Sequence, residues 1–250
     1  MKKISATIIT YNEERNIERC LRSLQDIADE IVVVDSFSTD KTKDICLKYN
    51  VEFYERAFKD YSDQKNWAIE KSTFPIILSI DADEEISSNL KKSILDVKNN
   101  WNYDGYYFNR MTNYCGKWIR HSGWYPNHQL RLWDKSKGSW VGIIHEKLNI
   151  PENNTSHLKG DLLHYSYYSF ADHIAKINKF TDMQAQEMFE KGISVNTYKI
   201  VFRPIWRFLR HYIFRLGLLD GLSGFIISKH SAYGHFLKYI KLKQLYRNAR

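Results

Sequence analysis

Long uninterrupted apolar runs are missing from these 250 residues. A membrane-spanning helix needs about 20 largely uncharged residues. The most apolar part of the C-terminal region, VFRPIWRFLRHYIFRLGLLDGLSGF (201–225), is broken by Arg203, Arg207, Arg210, Arg215 and Asp220, so no crossing is expected. The N-terminal MKKISATIITYNEE carries two lysines, but its apolar run stops at Asn12, which reads as a first strand and not as a signal peptide. Cysteine is scarce too. Cys20, Cys46 and Cys115 are odd in number and far apart, which excludes a disulfide framework, fits a reducing cytosol and leaves them as small apolar residues. No G-x-G-x-x-G and no G-x-x-x-x-G-K occurs, so dinucleotide-binding, P-loop and nucleotidyl-transfer readings are all disfavoured. Repeats and low-complexity linkers are absent as well.

What is present is a hydrophobic fraction of 43% with 15% aromatic residues, enough for a sizeable core in one large domain with a C-terminal appendage. The net charge of +8 is unevenly placed. From Lys199 to Arg250 there are 11 Lys or Arg against the single acid Asp220, so the preceding part holds 26 basic residues against 28 acidic ones. Basicity belongs to the tail. A nucleic-acid binder would carry its cations and stacking aromatics on the folded domain, so an anionic membrane surface is the better partner for this tail. Its interleaved arginines and aromatics predict an amphipathic helix lying in the interface, with the arginines on anionic lipid.

Apolar, β-branched runs at 4–10, 30–35, 51–55 and 75–81 alternate with helical patterns, which predicts a parallel α/β sheet. Ile17, Leu21 and Leu24 share one helical face; Asp40 is the expected N-cap of 41–49; Ser62 or Asp63 opens a helix through Ser72; Ser87 or Ser88 opens one carrying Leu90, Ile94 and Val97. After Trp101, GYYFNRM, HSGWYPNHQLRLW and GSWVGIIHEKLNI read as short strands and turns, and helix returns from Tyr167. The expected division is a catalytic domain over 1–166 and a helical basic region over 167–250.

In open α/β sheets, ligands bind beyond the C-terminal strand ends. There this chain places TYNEE, VVVDSFSTDKT and LSIDADEEI. In the last of these, Asp81, Asp83, Glu84 and Glu85 crowd one strand end and call for something positive among them. With no glycine-rich phosphate loop, a divalent ion held by carboxylates is the natural device. Glu84 and Glu85 can be read more plainly, as acids favouring the N-terminus of the next helix.

ITYNEERNI, IVVVDSFSTDKT, QKNWA and SIDADE, in this order, resemble the donor half of the inverting family 2 glycosyltransferases, which have the GT-A fold: a Rossmann-like nucleotide-binding half and a mixed-sheet acceptor half. GWYPNHQLRLW, IIHEKL and FRLGLLDGLSGF resemble the branch that adds sugars to the lipopolysaccharide inner core, including β-1,4-glucosyltransferases. The resemblance implies donor contacts from Thr10, Tyr11, Glu13, Asp35, Lys65, Asp81 and Asp83. Asp81 and Asp83 would form the D-x-D, both on one side of an extended chain, with Mg²⁺ or Mn²⁺ held by Asp83 and reached by Asp81. Many relatives read Asp-Asp-Gly-Ser where this chain has Asp35-Ser36-Phe37-Ser38, which puts the loop shape in question. The family's acidic base has no Glu-Asp counterpart here, so Glu146 is the expected general base, with Asp134 as the alternative and His145 and His164 as neighbours at the carboxylate or the metal. Trp124, Tyr125 and Arg131 suit an acceptor. The implied activity is transfer of a hexose, glucose from UDP-glucose foremost, to a lipid-anchored saccharide at the inner face of the cell membrane. Polyprenyl-linked or exopolysaccharide acceptors and a catalytically inactive carbohydrate-binding relative are the alternatives.

Overall fold

The computed structural model describes residues 1–142 and 146–249. Two compact units are present, one made of Met1–Arg110 and Asn127–Tyr165, the other of Met111–Pro126 and Ser166–Arg250.

The first unit begins with the alternating elements read from the sequence: β1 (Ile4–Thr10), α1 (Ile17–Leu24), β2 (Glu30–Asp35), α2 (Thr42–Cys46), β3 (Glu52–Glu55), α3 (Tyr61–Lys71) and β4 (Ile76–Ser79). Next come β5 (Glu84–Ile86), α4 (Ser88–Asn99), β6 (Gly105–Tyr114), β7 (Lys117–Trp118), β8 (His128–Asp134), β9 (Trp140–Val141), β10 (Lys147–Leu148) and β11 (Thr155–Tyr167). The sheet order is β3-β2-β1-β4-β8-β6-β11-β5, with β7 on the end of β6. Pairing is parallel from β3 to β4 and turns antiparallel where β8 joins β4.

Burial explains the alternation. Val33 points with Ile4, Ala6, Ile8 and Leu78 into a core shared with Ile17, Leu21 and Leu24 of α1 and with Leu90 and Ile94 of α4. Val32 and Val34 point the other way, onto Ala68 of α3. A strand covered on both faces has to be apolar throughout, and EIVVVD is.

Three local expectations change. Asp60, not Ser62 or Asp63, caps α3 by accepting from the Asp63 amide at 2.8 Å. At α2 the cap position is Lys41, and Asp40 supports it from one residue earlier by accepting from the Thr42 amide at 2.9 Å. The thirteen-residue β11 had no clear signal, because its TSHLKGDLLHYSY keeps no strict alternation. Gly160 within it adopts φ +98°, and a Cβ there would meet the Leu90 backbone nitrogen at 2.3 Å.

The second unit holds the end of β6, β7 and three helices: α5 (Phe170–Glu190), α6 (Thr197–Leu209) and α7 (Gly221–Asn248). α5 and α6 are capped by Ser169 and Asn196 side chains. A π-helical turn, Arg210–Phe214, extends α6, and a 3-10 turn, Gly217–Asp220, leads into α7. Gly224 packs so tightly on this turn that a Cβ would sit 1.8 Å from the Gly217 carbonyl oxygen. Among the described residues no helix is long and apolar enough to cross a membrane.

Candidate active site

The strand ends of the first unit gather the residues singled out in the sequence. Thr10 and Asp35 are register partners at the ends of β1 and β2, and Thr10 Oγ1 donates to Asp35 Oδ1 at 2.7 Å. Asp35 is buried at 1% exposure, and its Oδ2 accepts from the Ser38 amide at 2.6 Å. The Ser38 hydroxyl donates to Asp35 as well. The adjoining loops lock together: Ser38 Oγ accepts from the Asn12 amide at 2.7 Å, and Asn12 Oδ1 accepts from the Thr39 amide at 2.8 Å. Asn12 and Phe37 both have left-handed backbones, φ 54° and 60°. Phe37 thus takes, with a bulky side chain, the conformation that a glycine adopts without strain. Asp35 holds that loop closed. Tyr11 stands 61% exposed at the mouth, and the Glu13 carboxylate accepts from Asn16 Nδ2 at 2.8 Å.

At the end of β4 the chain does not stay extended. Asp81–Glu84 is a turn, closed by the Glu84 amide donating to the Asp81 carbonyl at 2.9 Å. Asp81 Oδ2 accepts from Arg131 Nη2 at 2.6 Å, and its Oδ1 lies 3.0 Å from Lys65 Nζ. The same Arg131 nitrogen donates to Glu84 Oε1 at 2.8 Å, and Arg110 Nη1 lies 3.5 Å from that oxygen. Glu84 Oε2 accepts from the Asp81 amide at 3.0 Å. The positive groups demanded by the acidic strand end are therefore protein side chains: Arg131 and Lys65 are only 3% and 4% exposed. Burial pushes the Asp81 carboxyl up, but Arg131 and Lys65 outweigh it and hold the group well below the usual carboxylate range.

This geometry corrects three readings, of Glu84, Arg131 and Asp134. Glu84 is not a helix-favouring surface acid; it is fully buried inside the ion-pair cluster. Arg131, expected at the acceptor, is buried on β8 and committed to Asp81 and Glu84. The Asp81 carboxylate oxygens lie on Lys65 and Arg131. Asp134, the alternative base, pairs with Ile76 at the opposite end of β4 and caps a turn through Ser136. Five residues of extended chain put it about 16 Å from Asp81.

Glu146 joins the same ion-pair cluster. Its Oε1 lies 3.4 Å from Lys65 Nζ, so one lysine bridges Glu146 and Asp81. Lys65 also sits 4.5 Å from the centre of the Trp140 ring. Tyr61 belongs to the same surroundings: burial, then Glu146 and Asp81, push its phenol up. That residue escaped the sequence reading, although its position four before Lys65 on α3 puts both on one helical face. His145 lies outside the described residues. His164 Nε2 lies 3.2 Å from Asp83 Oδ2. Glu85 accepts from the Tyr165 hydroxyl at 2.7 Å, beneath an Arg19 guanidinium 3.4 Å from the Tyr165 ring centre.

Among the described residues no group of three or more His, Cys, Asp or Glu side chains forms a metal cage. A diphosphate-bound Mg²⁺ or Mn²⁺ needs only one or two protein ligands, because the substrate oxygens supply others. Asp83 with His164 fits that need.

The other two acceptor candidates lie in the second unit. Trp124 stacks on Tyr167 with centroids 5.5 Å apart and meets Tyr114 and His173 edge-on, as part of that unit's packing. Tyr125 follows it, partly exposed.

Similarity to known proteins agrees with this architecture. The glycosyl transferase family 2 model matches residues 5–154. A lipopolysaccharide core biosynthesis glycosyltransferase, LpsC, of Rhizobium meliloti is 33% identical over 251 residues, covering 96% of this chain and 92% of the relative. A glycosyltransferase of Rickettsia bellii described as uncharacterized is 32% identical over 256 residues, covering 98% and 87%. Among solved structures, the mannosyltransferase PcManGT of Pyrobaculum calidifontis, in complex with GDP-Man and Mn²⁺, superposes with a TM-score of 0.55 at 12% identity, covering 97% of this chain and 87% of that one. The α/β sheet with its mixed far half is the GT-A fold, and the chain belongs to glycosyl transferase family 2.

Proposed function

We propose that this glycosyltransferase moves a hexose, glucose from UDP-glucose foremost, onto a lipid-anchored saccharide of the lipopolysaccharide-core kind, with inversion at the anomeric carbon. The observation that carries the proposal is Lys65, which holds Glu146 and Asp81 together beside the Asp83–His164 pair. Similarity to LpsC supports the acceptor class. Thr10, Tyr11, Glu13 and Asp35 would receive the nucleoside. A divalent ion, Mg²⁺ or Mn²⁺, bound by Asp83 and His164 would neutralise the departing diphosphate. Glu146 takes the proton of the acceptor hydroxyl as its oxygen attacks the anomeric carbon; the bond to the diphosphate breaks on the opposite face, and the diphosphate leaves with the electron pair. Lys65 orients the Glu146 carboxylate for that transfer.

Two substitutions test the roles separately. Glu146→Gln should keep UDP affinity while transfer falls by roughly 10²-fold or more, the usual worth of a general base. Asp83→Ala should instead abolish the Mn²⁺ dependence of UDP binding in calorimetry. Near-normal turnover by the first variant, or unchanged metal dependence in the second, removes that residue from its role.

The second unit's apolar exposure supports a peripheral position on an anionic cytoplasmic membrane face. Phe202, Ile205, Trp206, Phe214, Leu219 and Leu222 are 54–73% exposed. Large apolar side chains exposed on a strongly basic unit are a combination suited to the lipid headgroup boundary. In flotation with vesicles containing phosphatidylglycerol, full-length protein should rise. A Trp206→Glu, Phe214→Glu variant should stay at the bottom, and equal behaviour of the two would remove the membrane from the picture.

A further inference from the structure

The arginines of α6 do not accompany its exposed apolar side chains. Arg203, Arg207 and Arg210 follow a spacing of four and three residues, which places them along one helical face. Two of them reach α7: Arg203 Nη1 donates to the Tyr239 hydroxyl, and Arg207 Nε donates to Ser231 Oγ at 2.9 Å. From α7, Lys238 and His235 bear on the same two arginines. His211 and Arg215, in the turn after α6, bear on Arg207 from its other end. The seam between α6 and α7 is therefore cationic, while Val201, Phe202, Ile205 and Trp206 face outward.

Among the described residues no carboxylate answers these charges. Among the described residues none of Arg203, Arg207, Arg210, Arg215 and Lys238 forms an ion pair. Asp220, the sole acid between Gly192 and Arg250, is taken by His121 and by the Arg120 and His121 amides. The contrast with Lys241 of α7 is direct, since that lysine does have an acid, Asp182, at 2.7 Å. Two histidines sharpen the point. His211 is 3% exposed, and its Nδ1 lies 2.6 Å from the Ser122 carbonyl oxygen while its Nε2 is buried without a partner. His235 Nδ1 is buried without a partner as well. Burial and the surrounding cations press both rings toward neutrality, and burial and the neighbouring arginines lower Arg207 and Lys238 too. Arg207 and Lys238 are partly buried and have no carboxylate among the described residues, which is unfavourable, and with the exposed Arg203 beside them a multivalent oxyanion is the group that satisfies several at once, guanidinium forks matching its oxygens.

We propose that the α6–α7 seam is a phosphate-binding site, built from Arg203, Arg207 and Lys238 with His211 and His235 beneath. The phosphate comes either from an anionic lipid headgroup or from a phosphorylated soluble saccharide. The assignment stands apart from the sugar-transfer reading, because it uses none of the residues of the first unit.

The test uses full-length, nitrogen-15-labelled protein with UDP at saturation, so that the nucleotide site is filled, and follows the histidine ring signals during titration with inorganic phosphate at constant ionic strength. His211 and His235 signals should move with phosphate and not with chloride. Lys238→Gln should weaken the response at least fivefold, whereas Lys229→Gln, which removes the same charge elsewhere on α7, should leave it intact. A second titration uses phosphatidylglycerol vesicles. If the headgroup is the source, Lys238→Gln weakens vesicle binding in parallel; if a soluble phosphate is the source, vesicle binding is indifferent to that substitution while the phosphate response is not. Still histidine signals in both titrations, or equal weakening by Lys238→Gln and Lys229→Gln, would overturn the site. Failure of wild-type flotation with the phosphate response intact would sink the membrane reading alone.

Discussion

Two clusters of charge in this molecule are built on opposite plans. In the first unit, Asp81, Glu84 and Glu146 meet Lys65, Arg110 and Arg131, three negative groups against three positive ones, at 2.6 to 3.5 Å. Among the described residues of the second unit, Arg203, Arg207, Arg215 and Lys238 meet hydroxyls, a carbonyl and a ring and no carboxylate. A balanced cluster is a finished structure: it fixes geometry and resists change. An unbalanced one is incomplete in electrostatic terms, and its stability depends on what else is bound.

The largest effect should come from breaking the balanced side. Arg131→Ala leaves Glu84 buried with only a distant Arg110 and frees Asp81 from its closest cation, so unfolding stability should fall by about 3–5 kcal/mol in a urea titration. The same kind of deletion on the unbalanced side should act in the other direction. Lys238→Gln relieves repulsion from Arg203 and Arg207, and it should leave stability unchanged or raise it by up to about 1 kcal/mol. Similar losses for the two variants would erase the distinction.

Acid gives an effect of comparable size, located in the second unit. Burial, with His230 and Lys176 adding to it, holds His173 at about 4, and burial with Arg207 holds His211 at about 4. Both lie below the ordinary value of 6.5. The unfolded chain then binds more protons than the native one between these limits, so the contribution to stability is full above about pH 6.5 and is lost as pH falls toward 4. Each ring gives a slope of about 1.4 kcal/mol per pH unit across that window. Melting followed by the His173 and His211 ring signals should show this slope, and His211→Gln should remove its share; a flat profile from pH 6.5 to 4 would contradict both shifts.

Phe37→Gly is the gentlest probe. Removing the left-handed penalty gains about 1–2 kcal/mol, while the freer unfolded glycine returns about 0.5–1 of it, so a net gain of about 0–1.5 kcal/mol is expected. Chemical denaturation would read it. A clear loss would mean that the ring makes contacts which outweigh the strain.

The donor half was legible because its signals are local. Apolar runs that end in Thr10, Asp35 and Asp81 announce strands whose ends carry polar work, and the loop departure at Phe37 was visible as a missing glycine. Partners distant in sequence were not legible. Arg131 looked like a surface recognition residue because nothing near it in the chain reveals that Asp81, fifty residues earlier, and Glu84 would close on it. The turn at Asp81–Glu84 is local by contrast, with the Glu84 side chain folding back onto the Asp81 amide three residues earlier, and it was missed because strand alternation was carried past the end of β4. In the tail, the sequence reading put the arginines on anionic lipid, whereas Arg203 and Arg207 turn to Tyr239 and Ser231 of α7, partners about thirty residues on that nothing local reveals.

Because Lys65 serves Asp81 and Glu146 together, these residues form one thermodynamic unit and not three independent positions. Charge-neutralising either carboxylate changes how tightly the lysine holds the other, so the effects of Asp81→Asn and Glu146→Gln are expected to be non-additive, with a coupling energy of about 0.5–3 kcal/mol. A drifting sequence crosses such a unit most easily by compensated steps, which makes the trio a place where substitutions should travel together.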